Sequence, residues 1–186
     1  MLRISAIVVA AMAFCAAGPA RAQLVNENLL ITFPQGFRIA NDQRANGIHL
    51  SEMIPKGESL DDWTQMVTVQ IFFGAAALTP EGFEADMEKS WKASCPGASK
   101  GHVADGTENG YRFNLWVLAC PRNPASGKPE TTLLKAIAGN DSFYLVQKAF
   151  RSKPTMDEVG AATAWLRKIA VCDSRRPEQA CPKPGQ

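Results

Sequence analysis

The stretch that decides the fold is Asn109-Gly110-Tyr111-Arg112-Phe113-Asn114-Leu115-Trp116-Val117-Leu118-Ala119-Cys120. Asn-Gly is the pair that accepts the left-handed backbone at both centres of a two-residue hairpin turn. After it Tyr111, Phe113, Leu115 and Val117 fall on one side and Arg112, Asn114, Trp116 and Leu118 on the other. A period of two, filled with aromatic and branched residues, is the pattern of a strand. The turn pairs this strand with residues 100–107 before it.

Working downstream, residues 121–129 are rich in Pro, Asn, Ser and Gly and form a long surface connection. Residues 131–138 and 143–150 are two further strands joined through Gly139-Asn140-Asp141, so four consecutive strands make two hairpins. Upstream, residues 66–73 alternate Val67, Val69, Ile71 and Phe73 with Met66, Thr68, Gln70 and Phe72. One face of that strand is wholly apolar, which places it centrally in the core. Residues 48–54 alternate less cleanly but keep the period of a half-buried strand, and the short apolar runs 29–33 and 37–40 on either side of Pro34-Gln35-Gly36 suggest a strand, a turn and a second strand. Residues 41–47 read as a polar loop, and residues 57–63 as a loop or a single helical turn.

Two segments carry helical signals. Thr79-Pro80-Glu81 offers a cap, a first-turn proline and an acid at the positive dipole end. Phe83, Met87, Trp91 and Cys95 then recur along one face until Pro96-Gly97 stops the run. Thr155 and Glu158 form a capping box, followed by the stripe Val159, Ala162, Leu166 and Ile169, with the helix expected to end near Cys172. Strands in hairpins with separated helices give an α+β fold: a mostly antiparallel sheet of about six to eight strands with two main helices packed on it.

This element order, the start Phe33-Pro34-Gln35-Gly36-Phe37 and a closing helix after the Phe143-Tyr144-Leu145-Val146 strand resemble the Mog1/PsbP-like fold, which occurs in exported bacterial proteins. The resemblance implies a sandwich of that type and a binding, chaperone or assembly-accessory role without catalytic residues. It brings no functional residue with it, and disulfides are not part of its pattern.

Residues 1–22 read as a cleavable signal peptide: Arg3, an apolar run over 4–17, the breakers Gly18-Pro19, and Ala20-Arg21-Ala22 as the cleavage site. The run is shorter than the ~20 residues that span a bilayer, so no stable anchor is expected after cleavage. The mature chain then starts at Gln23 and forms one domain over residues 23–186, periplasmic in a Gram-negative bacterium or otherwise secreted. The full chain of 186 residues carries a formal charge of +2, and loss of Arg3 and Arg21 balances 18 basic against 18 acidic residues. A neutral chain has no electrostatic case for binding nucleic acid.

Loss of Cys15 with that segment leaves Cys95, Cys120, Cys172 and Cys181, an even set that an oxidising compartment pairs. Three pairings are open. Cys95 with Cys120 and Cys172 with Cys181 is favoured, because Cys95-Pro96 and Cys120-Pro121 each end an element and the second pair would tie down a polar tail. Close C-x-x-C spacing, which zinc and redox sites use, does not occur, and no metal or cofactor is expected.

Chemistry-bearing groups are sparse. His49 and Glu52 point to opposite faces of a strand, His49 and Ser51 could share one, and His102 lies in a Gly- and Ser-rich stretch. Gly57-Glu58-Ser59-Leu60-Asp61 has Asp where a nucleophile elbow needs its last glycine. Glu58, Asp61 and Asp62 form the densest acidic group, with Trp63 beside them, and would suit calcium or a stacked ligand; a solvated loop anchored by a buried Trp63 is the plainer alternative. Trp91 belongs to the helix stripe. Trp116 and Trp165 lie off the main apolar faces: exposed they would mark a binding surface, and covered by helices they would be inner packing.

The expectation is an exported, non-enzymatic binding or envelope-accessory protein for a protein or small ligand, with Trp63, Trp116, Glu58, Asp61 and Asp62 as candidate contacts. Two alternatives stand beside it: a periplasmic hydrolase using the Ser59 and Asp61 region, and an inhibitor or immunity protein for a secreted enzyme.

Overall fold

The computed structural model describes residues 24–182; the expected signal peptide over 1–22 and the start at Gln23 lie outside the described residues. The element order is β1 (Glu27–Leu30), β2 (Phe37–Ala45), β3 (Ile48–Pro55), β4 (Gln65–Phe73), α1 (Pro80–Ser94), β5 (Ser99–Glu108), β6 (Tyr111–Cys120), β7 (Glu130–Ala138), β8 (Ser142–Phe150), α2 (Met156–Arg167) and β9 (Ala170–Asp173). A short 3-10 turn, Pro177–Gln179, follows.

The fold is α+β, with a seven-stranded antiparallel sheet in the order β2-β3-β4-β8-β7-β6-β5 and a separate two-stranded sheet of β1 and β9. The first three strands of the large sheet form one meander and the last four another; they join where β4 runs antiparallel to β8. Asn109 and Gly110 turn the deciding hairpin with φ of 48° and 79°. The positive φ favours glycine at 110, and a side chain there would also displace the Gln179 amide packed against it.

Helices cover both faces of this sheet. On one face α1 lays Phe83, Met87 and Trp91 against Trp116, Leu118, Leu134, Ala136, Phe143 and Leu145. Thr79 caps that helix by accepting from the Gly82 backbone N–H, as its sequence requires. On the opposite face Ala162 and Leu166 of α2, together with Val171 of β9, close over Val67, Val69, Phe113, Leu115, Leu133, Val146 and Phe150. The capping box of Thr155 and Glu158 is formed.

Three expectations are corrected. The polar loop over 41–47 is instead the second half of β2, turned by Asn46-Gly47 with φ of 51° and 74°. Polar residues are tolerated there because β2 is an edge strand. The last helix stops at Arg167, not near Cys172, and Ala170–Asp173 become β9. The strand expected over 29–33 is instead Glu27–Leu30, shifted toward the N-terminus, and its partner is β9.

The cysteine pairing is the favoured one, Cys95 with Cys120 and Cys172 with Cys181. The first bond clips the end of α1 to the end of β6, and the second ties the tail back to β9.

The first strand of the described chain is held by one carboxylate. Glu27 accepts from the backbone N–H groups of Asn140, Asp141 and Ser142 and from the Tyr144 hydroxyl. Gly139 is the residue that lets it approach, since a Cβ there would collide with Glu27 Oε1.

A lysine pocket under the second helix

The residues singled out in the sequence are occupied with the protein's own structure. Glu58 accepts from the Thr64 backbone N–H and hydroxyl, both at 2.7 Å. Asp62 pairs with Lys128 at 3.0 Å, and that hydrogen bond holds its carboxyl below the ordinary value. Asp61 contributes its carbonyl to Arg151. The Ser59 hydroxyl accepts from the Asp62 backbone N–H. His49 is paired with Asp42, and His102 with Asp105. Among the described residues no group of three or more His, Cys, Asp or Glu is placed to hold a metal ion.

The candidate tryptophans do not converge. Trp63 is buried with Ile54, Met66 and Ala149, under the Arg151 guanidinium at 4.1 Å. Trp116 is fully enclosed beneath α1 in a different cluster. Neither side chain offers a surface to a partner. The loop over 57–64 is thus a clamp on the end of β8, built from the acidic group and its amide and cationic partners.

A different constellation forms on the α2 face. A cavity of about 300 Å³ is bounded by Gln65 and Val67 of β4, Lys148 and Phe150 of β8, Glu158, Ala161, Ala162 and Trp165 of α2, and Pro34. Its size is at the lower end of small-ligand pockets, and its walls are mainly apolar, as such pockets are. Exposed Ala161 marks its rim, and Trp165 is fixed by its indole N–H donating to the Thr32 carbonyl at 3.2 Å.

Lys148 is the cationic group of this cavity, beside the polar Gln65 and the acidic Glu158. It is only 9% exposed, and among the described residues its Nζ takes part in no salt bridge or hydrogen bond. The ammonium instead lies 4.2 Å from the centroid of the Phe37 ring and 5.5 Å from that of Phe150. Burial lowers its pKa from 10.5 to about 8, opposed only by the charge of Glu158. Glu158 itself is turned toward the helix start, where Oε2 accepts from the Thr155 backbone N–H and hydroxyl.

A second lysine on the same face shows what a structural lysine looks like here. Lys135, on the neighbouring β7, is fully buried, and its Nζ donates to Glu108 at 2.5 Å and to the Ile169 carbonyl at 2.7 Å. Buried charge is ordinarily paired in this way because desolvation without a partner costs several kcal/mol, on the order of 3–5. Lys148 has the cost without the partner, and it has the cavity.

Neither lysine was singled out from the sequence. The available signal was parity: Lys148 shares its face with Tyr144, Val146 and Phe150, and Lys135 shares its face with Leu133 and Ile137. A lone lysine at an apolar position of a strand is the mark that could have found them.

The α+β sandwich with helices on both faces defines the class by architecture. No family model matches the chain, and no curated protein matches it. Among solved structures it is similar in fold to a mutant of protein Mog1, with a TM-score of 0.42, 11% identity, and coverage of 76% of this chain and 85% of that one. It is likewise similar to the Ran-binding protein Mog1p of Saccharomyces cerevisiae, with a TM-score of 0.40 at the same identity and coverage. The likeness is one of fold.

Proposed function

We propose that this chain is an exported binding protein that takes a small apolar acid into the cavity under α2, with the acid's carboxylate seated on Lys148. The observation that carries this reading is Lys148, only 9% exposed and without an ion-pair or hydrogen-bond partner among the described residues, on the wall of a cavity of about 300 Å³. A carboxylate entering there supplies the direct ion-pair contact that Glu158, turned toward Thr155, does not make, and the apolar walls take the rest of the molecule. A charge-assisted hydrogen bond in such surroundings is stronger than one in water. Export is supported by the signal-peptide reading of residues 1–22 and by two disulfides. Among the described residues no helix is long and apolar enough to cross a membrane.

The test is calorimetric titration of the mature protein with octanoate and phenylacetate, with octanol and phenylethanol as uncharged controls. The expected result is saturable binding of an acid, weaker binding of its alcohol, and at least about a tenfold loss in Lys148→Met, the size of one charge-assisted bond. Equal binding by the wild type and Lys148→Met, or no binding of either acid, overturns the reading.

A further inference from the structure

We propose that Lys148 also captures small apolar aldehydes covalently, as an imine formed inside the cavity under α2. The inference deepens the pocket reading and rests on the same cavity being open to ligands, but it asks something different of the side chain. Acid binding uses the ammonium, whereas imine formation uses the free amine.

Three features of the site favour the amine as a nucleophile. Its Nζ is held by no hydrogen bond or ion pair among the described residues, so attack requires no partner to be broken. It borders a cavity with mainly apolar walls, Val67, Phe150, Ala162 and Trp165 among them, where an apolar aldehyde is held against it rather than diffusing past. The charged group facing it is Glu158 from α2; β4 presents Gln65 and Val67, β7 presents Leu133 and β2 presents Phe37. With its pKa lowered to about 8, roughly a tenth of the amine is unprotonated at pH 7, about two orders of magnitude more than for a solvated lysine. Desolvation of this kind is a recognised way of activating lysine toward carbonyl compounds.

The reaction balances without a co-reactant. The nitrogen lone pair bonds to the carbonyl carbon while the π pair moves to oxygen. One amine proton passes to that oxygen, giving a carbinolamine. The second amine proton leaves with the hydroxyl group as water, and a C=N bond remains. One amine and one aldehyde yield one imine and one water, with nothing oxidised or reduced.

The experiment uses benzaldehyde with cyanoborohydride to trap the imine as a stable secondary amine, followed by peptide mapping of wild-type mature protein. Lys148 should be modified about tenfold or more faster than exposed Lys56, Lys153 and Lys168, with a rate that climbs as pH rises through about 8. Octanoate should suppress that labelling, and Lys148→Met should leave only the slow surface pattern. Labelling spread evenly over the exposed lysines, or a silent Lys148, overturns the inference. If octanoate binds while Lys148 stays silent, the imine alone falls; if Lys148 is trapped while no acid binds, the imine stands and the acid-binding reading falls. The mapping is read on wild-type protein, so it does not depend on how Lys148→Met folds.

Discussion

Replacing Lys148 by methionine should make the protein more stable, and the gain should depend on pH. The pKa of this amine falls from 10.5 in the unfolded chain to about 8 in the folded one. Below pH 8 both states carry the proton, so the whole cost of burying the ammonium is present. Between 8 and 10.5 the unfolded chain binds more protons than the folded one, and wild-type stability rises with pH. By that linkage the cost is about 3 kcal/mol at pH 7 and about 1 kcal/mol at pH 10. The rings of Phe37 and Phe150 lie against the ammonium, and their attraction is already contained in that net cost. Methionine is of similar length and apolar, so it fills the same space without the charge. The expected gain is therefore up to about 3 kcal/mol at pH 7, shrinking to about 1 kcal/mol at pH 10.

Urea denaturation of both proteins across that pH range, followed by far-ultraviolet circular dichroism, measures it. Burial pushes the Tyr111 and Tyr144 phenols well above their ordinary values. Both variants thus lose stability together in strong alkali, where the unfolded chain gives up those protons first, and the difference between variants isolates Lys148. A variant no more stable than wild type at pH 7 would refute the claim that the amine is desolvated. A gain that stays constant with pH would reduce the effect to ordinary packing.

Glu27→Ala should cost about 2–4 kcal/mol, because three backbone N–H groups and the Tyr144 hydroxyl lose their acceptor, and hydrogen exchange should show β1 and β9 opening before the large sheet. Replacing Cys172 and Cys181 together by alanine should cost roughly 2–3 kcal/mol, and Cys95 with Cys120 about 3.5 kcal/mol, since the loop that Cys95 and Cys120 close is longer; thermal melts of the double variants give both values. Asp173 is held at about 2 by its hydrogen bond with Arg175, so its contribution is present above pH 3.8 and fades as pH falls toward 2. Asp173→Asn should lower stability at neutral pH and flatten that acid limb, and an unchanged acid titration would count against the Asp173–Arg175 pair.

The two-residue turn at Asn109-Gly110 and the capping box at Thr155 and Glu158 were legible because the groups that make them lie within a few residues of each other. Turn conformation and cap hydrogen bonds are local, so the sequence by itself determined where these elements begin, which side of each is apolar, and that the architecture is α+β. The cysteine spacing carried the pairing for a similar reason, since each bond joins residues flanking one stretch of chain.

The tertiary structure alone decided what lies far apart in sequence. Nothing near Glu27 announces that it will be held by residues 140–144, and nothing near Ala170–Asp173 announces a strand whose partner is at the other end of the chain. Trp63 and Trp116 drew attention as large aromatics, yet whether an aromatic is an anchor or a surface depends on which helix covers it. Lys148 drew none, because a lysine in a strand is ordinary until α2 closes over it and withholds a counter-ion. The candidate site is a product of that closure: the sequence supplied a sheet face with two lysines on it, and the packing of a distant helix left one of them, Lys148, largely buried, without an ion pair among the described residues and on the wall of a cavity.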